Sequence, residues 1–486
     1  MKATRLHIGE KIFTGEDQEL FAEISRDRNP MHMDPIAARR LITGHQVVHG
    51  IHIMLTAIEY WQNEKAAYPC MIACSFNNPV SLGEKLVFTQ AAEADGKFTI
   101  EATVNGLLCT SLTFSTMLED KPAGTGSEQV KPGTGEDIFI SSSSLPLNEA
   151  PEFHLGKRYA LKLNNSDFSI HFPKCHRYFG KQGFASMAAL SYIVGMACPG
   201  LHSMFSSLTI ALQTATVGED ALRFSVLKYD PRFRLFEIGF SGGTVGVVKA
   251  FQRPPPQRQP TVQELSDCVD KGEFTGIRSL IIGGSRGLGE VTAKILAAGG
   301  GDVVITYATG IEDARAVKDE IDSAGFSHCQ IKKLDLSADL FGGVDIDWNS
   351  FDSIYFFATP KIFRKKVEIF EPGLFQDFCK FYVDKFFELC TFVESSICGH
   401  KIKVYFPSSV YVEVRPKGMM EYAMAKSAAE ILIPEINRSF NNLTVLCTRL
   451  PRLSTDQTAT ILKVSTASNV ETLLPLIRSM HGGRSG

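Results

Sequence analysis

The chain has 486 residues, of which 44% are hydrophobic and 21% are charged, as is typical of a globular protein with two or three domains. Its 50 Lys and Arg nearly balance its 53 Asp and Glu, and no long basic run occurs, which argues against a nucleic-acid or anionic-membrane surface. The first residues do not resemble a signal peptide, and no run of about 18 apolar residues predicts a transmembrane helix. The eleven cysteines are dispersed without metal-type pairs, so we expect buried thiols in a reducing compartment, a cytoplasmic protein and no metal site.

Two stretches with the composition of linkers divide the chain. "DKPAGTGSEQVKPGTGED" (120–137) is rich in Gly, Pro and charge, which predicts a flexible connector. "RPPPQRQPTVQE" (253–264) contains four prolines and predicts a stiffer, extended connector. We therefore expect three domains, at about 1–119, 138–252 and 265–486.

The first segment contains "SRDRNPMHMDPIAARR", in which Asp27 stands five positions before His32. This stretch can be a polar turn with a core histidine, or it can supply an acid/base pair; Asp34 is expected to cap the next helix. An apolar helix at 50–64 and four strand-like runs between 70 and 117 follow. One helix followed by antiparallel strands predicts an α+β layer fold in which a curved sheet wraps the helix.

The second segment has the same order of elements. A helix-like run at 184–197 precedes strand-like runs that end near residue 251. We interpret this repetition as an internal duplication.

The third segment alternates strands and helices, which predicts a doubly wound, Rossmann-type parallel sheet. Its first unit, "LIIGGSRGLGE" (280–290), has a strand, a glycine turn and a helix start in that order. Glycines let the backbone approach a pyrophosphate, and the helix N-terminus supplies N–H groups, although glycine turns also join strands to helices for structural reasons alone. The candidate cofactor-binding residues of this turn are Gly283, Ser285, Arg286, Gly287, Leu288 and Gly289.

The second strand of this segment, "DVVITYATG", ends without the acid that would hold the ribose 2′-hydroxyl of NAD. Arg286 can instead face a 2′-phosphate, so we expect NADPH in preference to NADH. Asp335 follows the third strand and can either meet the adenine or cap a helix.

"EYAMAKSAAE" places Tyr422 and Lys426 one helical turn apart, on the same helix face. A nearby ammonium group stabilises tyrosinate, so we expect a lowered pKa for Tyr422 and an acid/base role near neutral pH. Upstream, "YFPSSV" ends a strand with Ser408 and Ser409, and a hydroxyl there can hold a substrate carbonyl. Tyr and Lys at this spacing are common on any helix, but here they occur together with the glycine turn and the preceding serines.

With these features, residues 270–460 resemble the short-chain dehydrogenase/reductase family. The resemblance implies that Tyr422 is the proton donor, that Lys426 lowers its pKa and binds the nicotinamide ribose, and that Ser409 orients the carbonyl. Gly283 and its neighbours would bind the dinucleotide.

The chain departs from this family at three places. "FFATP" (356–360) stands where the family usually has Asn-Asn-Ala-Gly, and Arg452 stands in place of a glycine. Asp384 is the nearest polar candidate for the family's helix asparagine. These changes bear on turnover more than on cofactor binding.

The first segment resembles the MaoC-like, (R)-specific enoyl hydratase branch of the hotdog fold, through "FAEISRDRNPMHMDPIAARR", "VVHGIHIML" and "NNPVSLGEKL". The resemblance implies that Asp27 and His32 activate water for syn addition across an enoyl thioester, or remove it in reverse. Gly50, at the helix N-terminus, would offer its N–H to the thioester oxygen. His49 is expected to be structural.

The duplicated unit would make a double hotdog. Its own acid and histidine, Asp167 and His171, are one residue closer together and lack the flanking motif. We therefore expect an inactive half that serves as pseudo-dimer partner and lines part of the acyl pocket, with a second site as the alternative.

Together, these features predict a bifunctional enzyme. The C-terminal domain would reduce 3-ketoacyl thioesters with NADPH, and the hotdog domain would interconvert 3-hydroxyacyl and trans-2-enoyl thioesters of CoA or acyl carrier protein, in a biosynthetic pathway of the fatty acyl or polyketide type. The expected partners are the acyl substrate and a second copy of the chain. The alternatives are a degradative hydratase and dehydrogenase, which would fit NAD⁺ better, and a non-catalytic acyl-binding scaffold of a larger synthase.

Overall fold

The computed structural model forms two compact units, unit 1 (Met1–Pro255 with Thr460–Lys463) and unit 2 (Pro256–Ala459 with Val464–Gly486). Most of the linker predicted at 120–137 lies outside the described residues. None of the helices in the described part of the chain is both long and apolar enough to cross a bilayer. The structure describes residues 5–41, 43–62, 68–92, 97–117, 136–141, 143, 145–212, 220–338, 341–364, 366–460 and 464–482.

Unit 1 is built on one continuous sheet and two long central helices. Its strands are β1 (Leu6–Ile12), β2 (Tyr68–Phe76), β3 (Lys85–Ala92), β4 (Lys97–Val104), β5 (Leu107–Met117), β6 (Asp137–Ile140), β7 (Arg158–Lys162), β8 (Ser203–Ala211), β9 (Ala221–Asp230), β10 (Leu235–Ser241) and β11 (Val245–Gln252). Its helices are α1 (Gly15–Ser25), α2 (Pro30–Met33), α3 (Pro35–Ala38), α4 (Gly50–Tyr60), α5 (Pro151–His154) and α6 (Pro173–Tyr192), and a π-helical turn (Ile193–Ala197) extends α6.

The strand order of this sheet is β1-β3-β4-β5-β2-β8-β11-β10-β9-β7-β6. We call residues 5–117 the first half of unit 1 and residues 137–252 the second half. The order β1-β3-β4-β5-β2 of the first half recurs as β7-β9-β10-β11-β8 in the second. The antiparallel pair β2–β8 joins them, with Cys74 opposite Leu208.

Both halves share one hydrophobic core. The apolar face of α4, including Ile51 and Leu55, packs in the same cluster as Met187 and Leu190 of α6. The cluster also takes inward-facing strand residues such as Phe88. The two central helices therefore lie against each other under the sheet, and the first segment has the helix and sheet layers predicted for it.

Unit 2 is a six-stranded parallel sheet with helices on both faces. Its strands, in the order β14-β13-β12-β15-β16-β17, are β12 (Arg278–Ile282), β13 (Asp302–Tyr307), β14 (Cys329–Lys333), β15 (Ser353–Phe356), β16 (Ile402–Ser409) and β17 (Leu443–Leu450). Its helices are α7 (Val262–Ser266), α8 (Gly287–Ala298), α9 (Ile311–Ala324), α10 (Pro372–Cys379), α11 (Lys385–Ser396), α12 (Tyr411–Val414), α13 (Met420–Ser439) and α14 (Asn469–His481), with a π-helical turn (Lys380–Asp384) between α10 and α11.

Alternation along β12 explains the two layers of helices in unit 2. Leu280 and Ile282 pack on one face of the sheet with α13, whereas Ile281 packs on the other face with α8. Because successive strand side chains point to opposite faces, an unbroken apolar strand predicts burial on both sides. The doubly wound parallel sheet is therefore as predicted.

The boundaries of the predicted elements differ in a few places. The helix expected at 50–64 ends at Tyr60, and α7 begins at Val262, inside the stretch interpreted as a linker. The short strands β1 and β7 were not predicted, because neither sequence, LHIGEKI or RYALK, alternates cleanly between apolar and polar residues.

Candidate active sites

The segment from Asp27 to His32 is a buried turn between α1 and α2. The chain leaves α1 at Arg26, which adopts a left-handed conformation (φ 61°), and Asp27 is only 1% exposed. The Asp27 carboxylate oxygen Oδ1 accepts a hydrogen bond from the Asn29 backbone N–H at 3.1 Å, and Pro30 opens α2. The turn interpretation of this stretch is therefore correct for the backbone, and it leaves the second carboxylate oxygen free for other contacts.

His32 has a fixed tautomer when it is neutral. Its Nδ1 lies 2.7 Å from the carbonyl oxygen of Val47, which can only accept a hydrogen bond. Nδ1 therefore carries the proton, and Nε2 presents a lone pair. A base held in this way can take a proton from a bound water molecule.

Burial shifts the two groups in opposite directions. It raises the pKa of the Asp27 carboxyl above its ordinary value, an effect opposed by the His32 charge. It lowers the pKa of His32, opposed by the Asp27 charge and reinforced by the positive charge of Arg253. Both shifts favour a protonated Asp27 carboxyl group and a neutral His32, a pair that is neutral as a whole and shares one acid/base proton.

His49 completes this cluster. Its ring stacks on His32 with centroids 3.8 Å apart, and its Nε2 lies 3.1 Å from the Asp27 carbonyl oxygen. Its Nδ1 lies 3.2 Å from Oε1 of Gln18, whose amide nitrogen holds the carbonyls of His32 and Val47. The geometry agrees with the structural role expected for His49, and Gln18 is a support that sequence reasoning missed.

The same three side chains bring possible metal-ligating atoms within 4.8 Å of one another in the described structure. Both nitrogens of His49 face oxygen acceptors, and Nδ1 of His32 faces a carbonyl. A metal would have to displace these hydrogen bonds, so the donor set suits proton transfer better than metal binding.

Gly50 is the first residue of α4, next to His49. A helix does not use the N–H groups of its first turn internally, and its dipole is positive at that end. A Cβ atom at Gly50 would lie 2.9 Å from the Phe76 ring, so glycine is needed for the close packing there. The position suits an N–H that would stabilise negative charge on a thioester oxygen.

Three other polar residues of unit 1 occupy structural positions. Asp34 accepts hydrogen bonds from the N–H groups of Ile36 and Ala37, so it caps α3 as predicted. Asp167 and His171 are both exposed, and Asp167 accepts from the Ser169 N–H in a surface turn. They do not form a buried pair like that of the first half.

In unit 2, the glycine turn lies between β12 and α8. Gly283 is left-handed (φ 83°) and its N–H donates to Oγ1 of Thr306 at 3.1 Å. A Cβ atom at Gly289 would lie 2.3 Å from the Gly283 carbonyl oxygen, so no other residue fits at that close approach. The turn thus exposes backbone at the N-terminus of a twelve-residue helix, an arrangement that fits a pyrophosphate.

The other residues predicted to bind cofactor have varied surroundings. Ser285 is buried, Arg286 immediately precedes α8, and Leu288 packs against the core. Asp335 accepts hydrogen bonds from the backbone N–H and the hydroxyl of Ser337, at 2.9 and 2.6 Å, and so closes the turn after β14. Its contact with adenine stays a prediction.

The structure brings Ser409 and Tyr422 together. Ser409 ends β16, Tyr422 lies in the first turn of α13, and an interaction with the Ser409 side chain opposes the effect of burial on the Tyr422 pKa. Ser408 points elsewhere, because its hydroxyl donates to Glu430. Of the two candidate serines, Ser409 is therefore the one that can share a carbonyl oxygen with Tyr422.

Lys426 lies beside this pair, but its ammonium group is not directed at the tyrosine hydroxyl. Nζ donates to the Pro407 carbonyl at 2.6 Å and lies 5.9 Å from the centre of the Tyr422 ring. Burial lowers the pKa of Lys426 to about 7 and raises the pKa of Tyr422 to about 12. The expectation that Lys426 lowers the pKa of Tyr422 is therefore wrong for this structure, because the loss of water around the phenol is the largest influence on that pKa.

Tyr382 is a site residue that the sequence did not reveal. It lies in the π-helical turn, is buried, and places its ring 5.8 Å from that of Tyr422. Its hydroxyl contacts Thr359 of the "FFATP" segment. Asp384, the polar candidate for this helix, is exposed. An aromatic in an apolar helix predicts only a core position, so no signal in the sequence distinguished Tyr382.

Comparisons with known proteins support the assignment of the first half. Residues 3–110 match the model of the family described as MaoC like domain. A stretch of 81 residues is 32% identical to the 3-hydroxyacyl-(acyl-carrier-protein) dehydratase, mitochondrial, of Arabidopsis thaliana, covering 16% of this chain and 47% of that protein. The chain therefore spans about half the length of this relative.

Solved structures similar to this chain include a short-chain dehydrogenase/reductase of Serratia marcescens, 19% identical with a TM-score of 0.36, covering 41% of this chain and 88% of that one. Another is the 3-oxoacyl (acyl-carrier-protein) reductase of Agrobacterium tumefaciens with NADP bound, 19% identical with a TM-score of 0.33, covering 38% and 73%. The chain thus carries a MaoC-like domain at its N-terminus, within residues 3–110.

Proposed function

We propose that the protein is a bifunctional enzyme of acyl thioesters. Unit 1 would interconvert 3-hydroxyacyl and trans-2-enoyl thioesters with (R)-stereochemistry, and unit 2 would reduce 3-ketoacyl thioesters to the 3-hydroxyacyl form with NADPH. The acyl group would be carried by CoA or acyl carrier protein, and the direction would be biosynthetic. The observation that carries the proposal is the buried Asp27–His32 pair beside the N-terminus of α4.

The hydration step follows from the protonation state of that pair. Nε2 of His32 takes a proton from water as the water oxygen bonds to the β-carbon, and the proton of Asp27 passes to the α-carbon. The electrons of the double bond pass through the thioester oxygen, where the Gly50 N–H stabilises the developing charge. Dehydration is the same sequence in reverse.

In unit 2 the reduction depends on a proton donor held against the carbonyl. The Tyr422 hydroxyl gives its proton to the 3-keto oxygen, and the Ser409 hydroxyl donates a hydrogen bond to the same oxygen. Lys426 lies buried beside them, with its Nζ held by the Pro407 carbonyl.

The glycine turn, Asp335 and Lys426 would hold NADPH, which supplies the hydride when it is bound. Gly283 and Gly287 supply left-handed backbone and Gly289 permits a close backbone approach, and together they shape the turn at the α8 N-terminus where a pyrophosphate would bind. Arg286 would meet the 2′-phosphate, so Arg286→Ala should weaken NADPH binding more than NADH binding.

The proposed domain boundaries are 1–119 for the MaoC-like hotdog, 138–252 for a second hotdog that arose by duplication, and 265–486 for the reductase. The repeated strand order of unit 1 supports the duplication. The exposed Asp167 and His171 support an inactive second half. None of the eleven cysteines, all of which lie in the described residues, forms a disulfide, which suits a cytoplasmic location. A second copy of the chain is the expected partner.

Two assays on the purified full chain test the proposal. Acetoacetyl-CoA with NADPH is followed by nicotinamide absorbance, and crotonyl-CoA alone by its enoyl absorbance. Asp27→Asn should abolish hydration and leave reduction unchanged, and Tyr422→Phe should do the reverse. Asp34→Asn removes the same charge from the same segment and should affect neither activity, since Asp34 only caps α3.

Other outcomes would redirect or refute the proposal. A higher kcat/KM for the oxidation of 3-hydroxybutyryl-CoA with NAD⁺ than for the reduction of acetoacetyl-CoA with NADPH would favour the degradative alternative. Absence of both activities with CoA and carrier-linked thioesters, together with absence of NADPH binding, would leave the scaffold alternative. Loss of both activities from one substitution would contradict the division of labour.

A further inference from the structure

The Asp27 carboxyl group is held from the second half of unit 1. The hydroxyl of Ser191, near the end of α6, donates a hydrogen bond to Asp27 Oδ2 at 2.7 Å. Ser191 and Asp27 are both buried and stand 164 residues apart in the chain. With Oδ1 held by the Asn29 N–H, both oxygens of the carboxyl group are fixed, one from each half.

The π-helical turn that follows α6 makes room for this contact. A Cβ atom at Gly195 would lie 2.5 Å from both carboxyl oxygens of Asp27, so a side chain there would displace the carboxyl group. The Gly195 carbonyl also accepts a hydrogen bond from Nδ2 of Asn29 at 2.6 Å. One short segment of the second half therefore fits the Asp27 turn in both shape and hydrogen bonding.

We propose that Ser191 and Gly195 are positioning residues for Asp27, so that the hydratase site is completed by the second half and is incomplete in the MaoC-like domain alone. This inference rests on the proposed function of Asp27. It gives the second half a positioning role in the hydratase site, through Ser191 and Gly195 and not through its own exposed Asp167 and His171.

The titratable and charged groups around the Asp27 carboxyl determine how the Ser191 hydrogen bond affects its pKa. His32 and His49 lie on the first-half side, and Tyr192 of the second half interacts electrostatically with Asp27. Arg253 acts on His32. The Ser191 hydroxyl stabilises the charged carboxylate and so opposes the effect of burial on its pKa. Without this hydroxyl, Asp27 would hold its proton to higher pH. Its carboxyl group would also lose one of the two hydrogen bonds that fix its orientation.

The test compares Ser191→Ala and Gly195→Ala with wild type in crotonyl-CoA hydration. In Ser191→Ala, the alkaline limb of the pH–rate profile, where the pair loses its shared proton, should move up by about one pH unit, because a hydrogen bond to a charged group is removed. The kcat should fall while KM stays within about twofold, and Ser191→Thr should restore the profile. Gly195→Ala should lower kcat by about 100-fold, as expected when a catalytic group is displaced by about 1 Å.

Ser186→Ala is the matched control. Ser186 lies on the same helix, is fully buried, and its hydroxyl has no hydrogen-bond partner in the described part of the chain. Its replacement should leave both kcat and the pH profile unchanged. An equal effect from Ser186→Ala and Ser191→Ala would show that only packing of α6 matters, and would overturn the inference.

A readout without substrate separates this inference from the proposed function. Because burial raises the folded-state pKa of Asp27, the stability of wild type relative to Asp27→Asn should fall as pH rises from the ordinary carboxyl value to that raised pKa. In the Ser191→Ala background, the same comparison should show the fall continuing to higher pH. If this shift is seen but the wild type hydrates no enoyl thioester, the proposed function fails and the positioning contact stands. If the wild type is active and Ser191→Ala changes neither the pH–rate profile nor this pH dependence of stability, the positioning role is wrong.

Discussion

The ammonium nitrogen of Lys426 lies 3.7 Å from the centre of the Tyr382 ring. A second aromatic ring, that of Phe406, lies 4.5 Å from the same nitrogen, and the Pro407 carbonyl accepts its hydrogen bond. The negative faces of the rings stabilise the cation, but they replace the water that would surround an exposed lysine. The same contacts that hold the lysine in place therefore remove its water, which makes the protonated form less favourable than in an exposed lysine.

The desolvation of Lys426 should appear in the pH dependence of the free energy of unfolding. The pKa of Lys426 is about 7 in the folded protein and near 10.5 when unfolded, so the unfolded chain binds the extra proton between these values. Stability relative to a Lys426→Met variant should therefore rise with pH from about 7 to 10, by up to about 1.4 kcal/mol per pH unit. Urea unfolding of both proteins at pH 7, 8 and 9 measures it, and a difference that does not change with pH would show that Lys426 is not desolvated.

Tyr382 should control the protonation of Lys426 through its ring and not through its hydroxyl. Tyr382→Phe keeps the aromatic face, whereas Tyr382→Leu removes it together with about 2 kcal/mol of cation–π stabilisation. The limb of the ketoreduction profile governed by Lys426 should therefore move to lower pH in the Leu variant and stay in place in the Phe variant. Equal shifts in both variants would instead implicate the hydroxyl and its Thr359 contact.

Breaking the buried ion pair beside Tyr422 should destabilise unit 2. Glu421 accepts hydrogen bonds from Nζ of Lys366, at 2.6 Å to each oxygen, and from the Glu371 N–H, and both side chains of the ion pair are buried. Glu421→Gln should cost about 3–5 kcal/mol in urea unfolding, because it leaves the lysine charge buried and unpaired. Glu435→Gln breaks an exposed pair with Arg438 on the same helix and should cost less than about 1 kcal/mol.

The double variant Lys366→Met/Glu421→Met tests whether the unpaired charge of Lys366 causes the loss of stability in Glu421→Gln. If an unpaired charge explains the loss, removing both charges should recover much of the stability that Glu421→Gln loses. A double variant that is as unstable as Glu421→Gln would point to the Glu371 backbone contact instead.

Local signals in the sequence predicted much of the fold. Asp34 caps α3 as expected. The left-handed Gly283 follows from the glycine turn. Each of these features depends on residues within a few positions in the chain, so the local sequence is enough to predict it.

The contacts that complete the candidate sites depend on distant residues. Ser191 reaches Asp27 across 164 positions, and no local pattern marks it among the other small residues of α6. Tyr382 reads as an ordinary core aromatic. The spacing of Tyr422 and Lys426 predicted a shared face but gave no measure of burial, and burial is what decides their pKa values.

Nucleotide binding should depend on the close backbone approach at Gly289. In Gly289→Ala the new methyl group would lie 2.3 Å from the Gly283 carbonyl oxygen, so the turn must open and its N–H groups must move away from a bound pyrophosphate. We expect at least a tenfold rise in the Kd for NADPH, measured by the fluorescence of the reduced nicotinamide, with hydration of crotonyl-CoA unchanged. Gly373→Ala is the control, because a Cβ atom there meets no atom within 4 Å, and its Kd should equal that of wild type. Unaltered NADPH binding in Gly289→Ala would place the cofactor away from this turn.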